Sequence, residues 1–271
     1  MIGLWALALL LGTAAGVGAA ERPLVDAHIH YSHDAWDQTS VKDAIAILRR
    51  AGLTRALVSS SPNDGTHKLA AEAPDLIVPG LRPYRKRGEL STWMRDPDAL
   101  RYVEAELRRH RYVSIGEFHL HGTEADLPIP RRIVELARQH GLFLQAHVDA
   151  DAVERFFTQD PGARVLWAHA GFASAETVRD LMRKHKGLSA DLALRSEVAS
   201  GGRVDPQWRA VFTEFPDRFM VGTDTWTPGR WNDVVGHAEF ARAWLSDLPA
   251  DLAERIAWKN AEALFAPAVR R

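Results

Sequence analysis

The chain has 271 residues, a formal charge of -1 and no cysteine. The near-neutral charge gives no electrostatic footprint for nucleic acid, and the lack of thiols excludes disulfides and thiolate metal sites. Any metal must therefore be held by nitrogen and oxygen ligands, for which twelve histidines are available.

Residues 1–20 carry no charge, contain the apolar run Leu4 to Leu11, and end in the small residues Gly16 to Ala20. This reads as a secretory signal peptide cleaved near Ala20, with a periplasmic or secreted mature protein, although the usual positive charge before the apolar run is missing. The other reading is an uncleaved anchor, since the segment is nearly long enough to span a bilayer. No later segment is apolar enough to do so, so no membrane association is expected after cleavage. Residues 21–271 remain as a single domain.

In chain order, eight apolar runs predict buried strands: Leu24–His30, Ala56–Ser60, Ile77–Arg82, Val113–Leu120, Leu142–Val148, Val165–Ala170, Leu188–Leu194 and Phe219–Asp224. Helical spacing falls between them. Val41–Ala51 places Ala44, Ile45 and Leu48 on one face before Gly52, and Arg131–His140 is followed by Gly141. Ser174–Lys186 closes at Gly187, and a further helix starts at Asp205-Pro206 and runs towards Phe215. His110, His140 and His185 each fall near a predicted helix C-terminus, where a cation is favoured. Regular alternation over about 250 residues predicts an α/β fold closed as a (β/α)8 TIM barrel. An open doubly wound sheet would place a glycine-rich phosphate loop after the first strand. His28-Ile29-His30 stands there instead.

Ionisable residues gather at the ends of these runs. Side chains two apart on a strand share a face, so His28 and His30 both point into the barrel. Glu117 ends strand four, His147 strand five, His169 strand six and Asp224 strand eight. In a parallel barrel all these ends meet on one rim, where active sites lie. So many buried ionisable groups are costly unless a cation sits among them, and nitrogen and oxygen ligands suit zinc, manganese or iron. A lone His-x-His pair is weak; the conjunction carries the argument.

At these residues the chain resembles the amidohydrolase superfamily: His28-x-His30, an acid after the fourth strand, His147, His169 and Asp224. The segment from Glu254 through Asn260 to Phe265 looks like the closing helix of its amidohydrolase-related ("amidohydrolase 2") branch. The resemblance covers residues 23 to 265. It implies that His28, His30 and Asp224 hold one divalent metal, zinc foremost, and that His147 and His169 hold a second in two-metal members. In single-metal members His147 joins the first site and His169 assists catalysis. Ile115-Gly-Glu117 looks like the strand-four setting of TatD-type nucleases, which implies a bridging glutamate. The alternative is a carboxylate that orients a ligand histidine.

The resemblance implies hydrolysis of an ester, lactone, amide or phosphoester bond of a small molecule by a metal-activated water, with Asp224 moving its proton and His169 or a metal stabilising the developing charge. Arg82 stands where it would clamp a carboxylate or phosphate, or pair with the rim acids, and Arg195 has the same two readings. His119 and His121 continue the face of Glu117 towards substrate, a stray metal or the surface, and Trp226 and Trp231 are candidate aromatic walls. Two other functions stay open. One is non-oxidative decarboxylation of a carboxylate substrate with one metal, and the other is metal binding without catalysis by an exported protein.

Overall fold

The computed structural model describes residues 22–266; the candidate signal segment, residues 1–20, lies outside them. Eight parallel strands follow one another around a single sheet: β1 (Leu24–Ile29), β2 (Leu53–Val58), β3 (Ile77–Leu81), β4 (Ser114–Leu120), β5 (Phe143–Val148), β6 (Val165–Trp167), β7 (Leu188–Asp191) and β8 (Phe219–Met220). The Ala27 amide donates to Val221 O at 2.9 Å and the Asp224 amide to His28 O at 2.8 Å, which closes the sheet between β8 and β1. The fold is the expected TIM barrel. A two-residue hairpin, Ala199–Ser200 with Arg203–Val204, decorates the loop after β7.

The helices on the outside are α1 (Val41–Arg50), α2 (Asp64–Glu72), α3 (Pro97–Arg109), α4 (Pro128–His140), α5 (Ala150–Gln159), α6 (Ala175–Lys184), α7 (Pro206–Glu214) and α8 (Val234–Leu245). Their boundaries follow side-chain chemistry. Ser40, Asp149 and Ser174 accept backbone N–H groups at the starts of α1, α5 and α6. Gly141 ends α4 at φ 69°, a left-handed cap that glycine adopts without steric cost. α4 begins three residues before the expected Arg131, because Pro128 and Pro130 are tolerated in a first turn.

A large apolar core lies between strands and helices. A smaller cluster joins Leu57, Val78, Phe143, Leu166 and Met220, from five strands, to Ala261 and Phe265 of α9 (Asn260–Phe265). Residues of non-adjacent strands meet only inside the barrel, so this cluster fills it and α9 plugs its N-terminal end. Asn260 secures the plug by donating to Pro216 O and Phe219 O, each at 2.9 Å. The other mouth is left for the polar residues.

Four strand boundaries differ from the sequence reading by three residues or more. β2 starts at Leu53 rather than Ala56, β6 stops at Trp167 rather than Ala170, β7 stops at Asp191 rather than Leu194, and the β8 ladder covers only Phe219–Met220. Past β6 and β8 the chain turns left-handed, with φ 56° at His169 and 54° at Asp224. The site residues of those units lie just beyond their strands.

Candidate active site

His28, His30, Glu117, His169 and Asp224 are all buried at the C-terminal mouth, with His147 half-buried beside them. Glu117 arrives from β4 through a bulge between Gly116 and Phe118. Gly116 has φ 132°, and a Cβ there would lie 1.9 Å from Gln145 O, so only glycine allows the approach to β5.

Each buried imidazole has its outer nitrogen fixed. His28 Nδ1 donates to Asp191 Oδ2 at 3.1 Å, His30 Nδ1 to Ser59 O at 2.6 Å, and His169 Nδ1 to Ala193 O at 3.0 Å. A carbonyl only accepts, so His30 and His169 carry their proton on Nδ1 and keep Nε2 free. The Nε2 atoms of His28 and His30 face each other at 3.1 Å. His30 Nε2 lies 3.1 Å from Glu117 Oε2 and 3.4 Å from Asp224 Oδ1, and His169 Nε2 lies 3.8 Å from Asp224 Oδ2. Asp224 Oδ1 is buried without a hydrogen-bond partner.

Charge explains what such a centre can do. Glu117, Asp191 and Asp224 bring three carboxylates. Among the described residues only Arg82 faces them with a permanent cation, its Nη2 lying 2.8 Å from Glu117 Oε2. Two negative charges remain, and burial makes them expensive. Within the protein alone, protons answer this. Burial pushes the His28 imidazole towards neutrality, yet Asp191, Glu117 and Asp224 outweigh it and raise its pKa well above the usual value. Burial likewise pushes Glu117 up, but the charge on His28 and a hydrogen bond from His147 help hold it well below the carboxylate range. Burial alone lifts Asp26, beneath the centre, to about 7. A partnerless carboxylate oxygen, converging Nε2 lone pairs and an excess of two negative charges fit a divalent cation.

The donors fall into overlapping groups that could hold a metal: His28 with His30 and Glu117, His28 with His169 and Asp224, and Glu117 with His119 and His147. Glu117 is shared between the first and third. His169 thus groups with His28 and Asp224, away from His147, whose Nδ1 lies 3.0 Å from Glu117 Oε1. A further group, His67, Glu106 and His110, lies apart on α2, on α3 and just past the end of α3.

The expected substrate residues separate. A cavity of about 430 Å³ over the centre is lined by Arg82, His119, Trp226, Tyr84 and Lys86, together with Glu117, His147, His169 and Asp224. Arg82 is buried and also donates through Nε to Glu117 O at 3.2 Å, so its guanidinium positions the acid. Tyr84 hydroxyl lies 3.0 Å from His119 Nδ1, and burial keeps that phenol protonated. Burial first, then the neighbouring His147 and Arg82, lower the His119 pKa to about 3. A neutral ring that accepts at Nδ1 presents Nε2–H to the cavity.

His121 is exposed and stands 3.9 Å from Asp149, outside the cavity lining. Arg195 is buried and donates to His169 O, Ala170 O and Ala173 O, clamping the turn that carries His169. Trp231 is a correction. It is buried in the core against Tyr31, and only Trp226 walls the cavity. Asp191 and Tyr84 escape the sequence reading; the signal for Asp191 was an acid inside the predicted seventh strand.

The amidohydrolase sequence profile matches residues 25–266. The chain belongs to the amidohydrolase family. No curated protein matches the chain in sequence. Among solved structures, an uncharacterised TIM-barrel protein of Bordetella bronchiseptica is similar at TM-score 0.63 and 13% identity, over 90% of this chain and 98% of that one. A Pseudomonas putida protein named as a 2-pyrone-4,6-dicarboxylic acid hydrolase gives 0.62 and 14%, over 92% and 99%. An Acinetobacter baumannii protein with the same activity in its name, and citric acid bound, gives 0.59 and 13%, over 89% and 98%. At these identities the likeness concerns the fold. The family places this amidohydrolase among enzymes, and the family usually binds metal.

Proposed function

We propose that this amidohydrolase is a metal-dependent hydrolase that cleaves an ester, lactone, amide or phosphoester bond of a small molecule by attack of an activated water. The carrying observation is the imbalance of charge: three buried carboxylates, one guanidinium, and imidazole Nε2 atoms turned towards the same point. His28, His30, Glu117 and Asp224 would hold a divalent ion, zinc foremost, with manganese or iron also suited to the donors. Such an ion would supply Lewis acidity, acidifying a water and polarising the bond under attack.

The residues of the chain do the rest. Asp224 Oδ1 has no hydrogen-bond partner and faces the centre, so it can take a proton from the attacking water and return it to the leaving group. The Asp224 main chain is held in place, since Arg230 donates to both Asp224 O and Thr223 O. His169 Nε2, beside Asp224 Oδ2, faces where negative charge develops, and Arg195 keeps its turn in position. His119 offers an N–H to the substrate. Arg82 keeps Glu117 aimed. The uncharged, apolar residues 1–20 support export of the chain as part of the same proposal.

The test is metal analysis of the purified protein beside Glu117→Ala, with esters, lactones, amides and phosphoesters as substrates and carbon dioxide release as control. Bound metal that falls on substitution, together with hydrolysis of one class, supports the reading. Carbon dioxide release with one metal equivalent untouched by the substitution replaces it with decarboxylation. Bound metal without any turnover leaves only a metal-binding role.

A further inference from the structure

The large hydrophobic residues exposed among the described ones are Leu90, Phe172, Leu194, Trp226 and Phe240. Scattered singly, such residues need no explanation; these are not scattered. Leu90, Leu194 and Trp226 line the cavity over the centre. The Phe172 ring stacks on His169 at 4.8 Å. Phe240 lines a neighbouring cavity of about 490 Å³ between the loop after β7 and α8, and Leu194 lines both. Exposed apolar surface gathered around one opening marks a binding surface.

The backbone adds an independent observation. Among the described residues, the non-glycine ones with positive φ are His169, Ala170, Phe172, Leu194 and Asp224, all on this rim. L residues avoid that region, and it persists where function imposes it. For His169 and Asp224 the centre explains it. Phe172 and Leu194 have no ligand atom to present. Each combines an unfavourable backbone with an exposed apolar side chain, and each turns that side chain to the mouth of the site.

Resting on the hydrolase reading above, we propose that the substrate carries a large apolar group, acyl or aryl, that lies against Trp226 and Leu90 and passes Leu194 into the neighbouring cavity. The surfaces are concave, and each volume is within the range of small-molecule pockets. That geometry suits a ligand's apolar arm, whereas insertion into a lipid surface would need side chains that project.

Two measurements test this on the full, metal-loaded chain and on its chelated form. In the first, 4-nitrophenyl acetate, butyrate and octanoate are compared. The expected kcat/KM rises about a hundredfold from acetate to octanoate, each methylene gaining apolar contact. Leu194→Gly removes the strain as well as the side chain, so its Tm stays or rises while the octanoate-to-acetate ratio drops about tenfold. Trp226→Ala lowers the ratio without raising Tm. In the second, calorimetry measures 1-octanol and 1-butanol binding in chelator, with octanol binding expected to weaken in Leu194→Gly.

The two ideas fail separately. Octanol binding sensitive to Leu194, with no ester, lactone, amide or phosphoester turned over, sinks the hydrolase reading and keeps the apolar subsite. Turnover indifferent to chain length, or octanol binding indifferent to Leu194, overturns the subsite and keeps the hydrolase.

Discussion

Asp224→Asn isolates the charge argument, because the Asp224 side chain gives up no hydrogen bond on substitution; its Oδ1 is buried and partnerless. With Arg82 charged and His28 protonated, the metal-free centre holds two cations against Glu117, Asp191 and Asp224. One carboxylate is left over, and asparagine removes it at nearly constant shape. An uncompensated buried polar or charged group costs about 1–3 kcal/mol after local relaxation. At about 2–4 °C per kcal/mol for a domain of this size, the chelated variant should melt roughly 2–12 °C above the chelated wild type. Metal favours the wild type instead. An ion at about a thousand times its Kd stabilises by about 4 kcal/mol, or roughly 8–16 °C in the wild type. A variant that binds a hundredfold more weakly keeps only about 1.4 kcal/mol of that. Differential scanning calorimetry in chelator and in excess zinc reads both limits, and the rise in Tm on adding zinc should be smaller in the variant. If Asp224→Asn melts below the wild type in chelator, or gains as much from zinc, the excess-charge account is wrong.

Arg82→Met should cost about 3 kcal/mol in urea unfolding, since it strands the Glu117 carboxylate after breaking a 2.8 Å buried pair. Its zinc affinity should fall about 10- to 100-fold in a chelator competition, because the acid loses its aim. Glu154 joins α5 to Lys184 and His185 at the end of α6, each at 2.8 Å. Burial pushes its carboxyl up, but those two partners outweigh it and leave the folded pKa below the unfolded value. Its contribution is therefore present above the unfolded pKa and lost as pH falls through the folded one. Glu154→Gln should flatten the acid side of the stability profile, and an unchanged slope in urea titrations below about pH 5 would count against the pairing. Gly141→Ala, at φ 69°, should lose about 1 kcal/mol of stability with metal binding unaltered.

How much of this was readable in advance depends on how far apart the partners lie in the chain. The His28–His30 pair follows from a period of two along one strand, and the structure brings both rings to Glu117. Strand and helix alternation sufficed for the barrel, since each unit packs mainly on its neighbours. Asp191 was legible only as an acid inside a strand, because its role is set 163 positions away, where His28 Nδ1 points. Arg82 shows the same limit. A cation at a strand end reads equally as a substrate clamp or as the partner of a rim acid, and only the distance to Glu117 separates them.

Conformation hid the remainder. An apolar run such as Val165 to Ala170 reads as strand throughout, yet the backbone turns left-handed at His169 and Ala170. Local propensity opposes that turn, and the contacts that over-determine it come from elsewhere: Arg195 gathers the carbonyls of His169, Ala170 and Ala173, and Ala193 O accepts from the imidazole. Arg195 is legible in sequence only as a rim cation. Its place in the fold makes it the clamp that aims His169, and loosening it should disturb the centre before it disturbs the barrel. Arg195→Met, which keeps much of the packing on Trp208, should therefore weaken zinc binding several-fold while the urea midpoint of the barrel moves little. Equal losses in both would mean that the turn belongs to the core and not to the site.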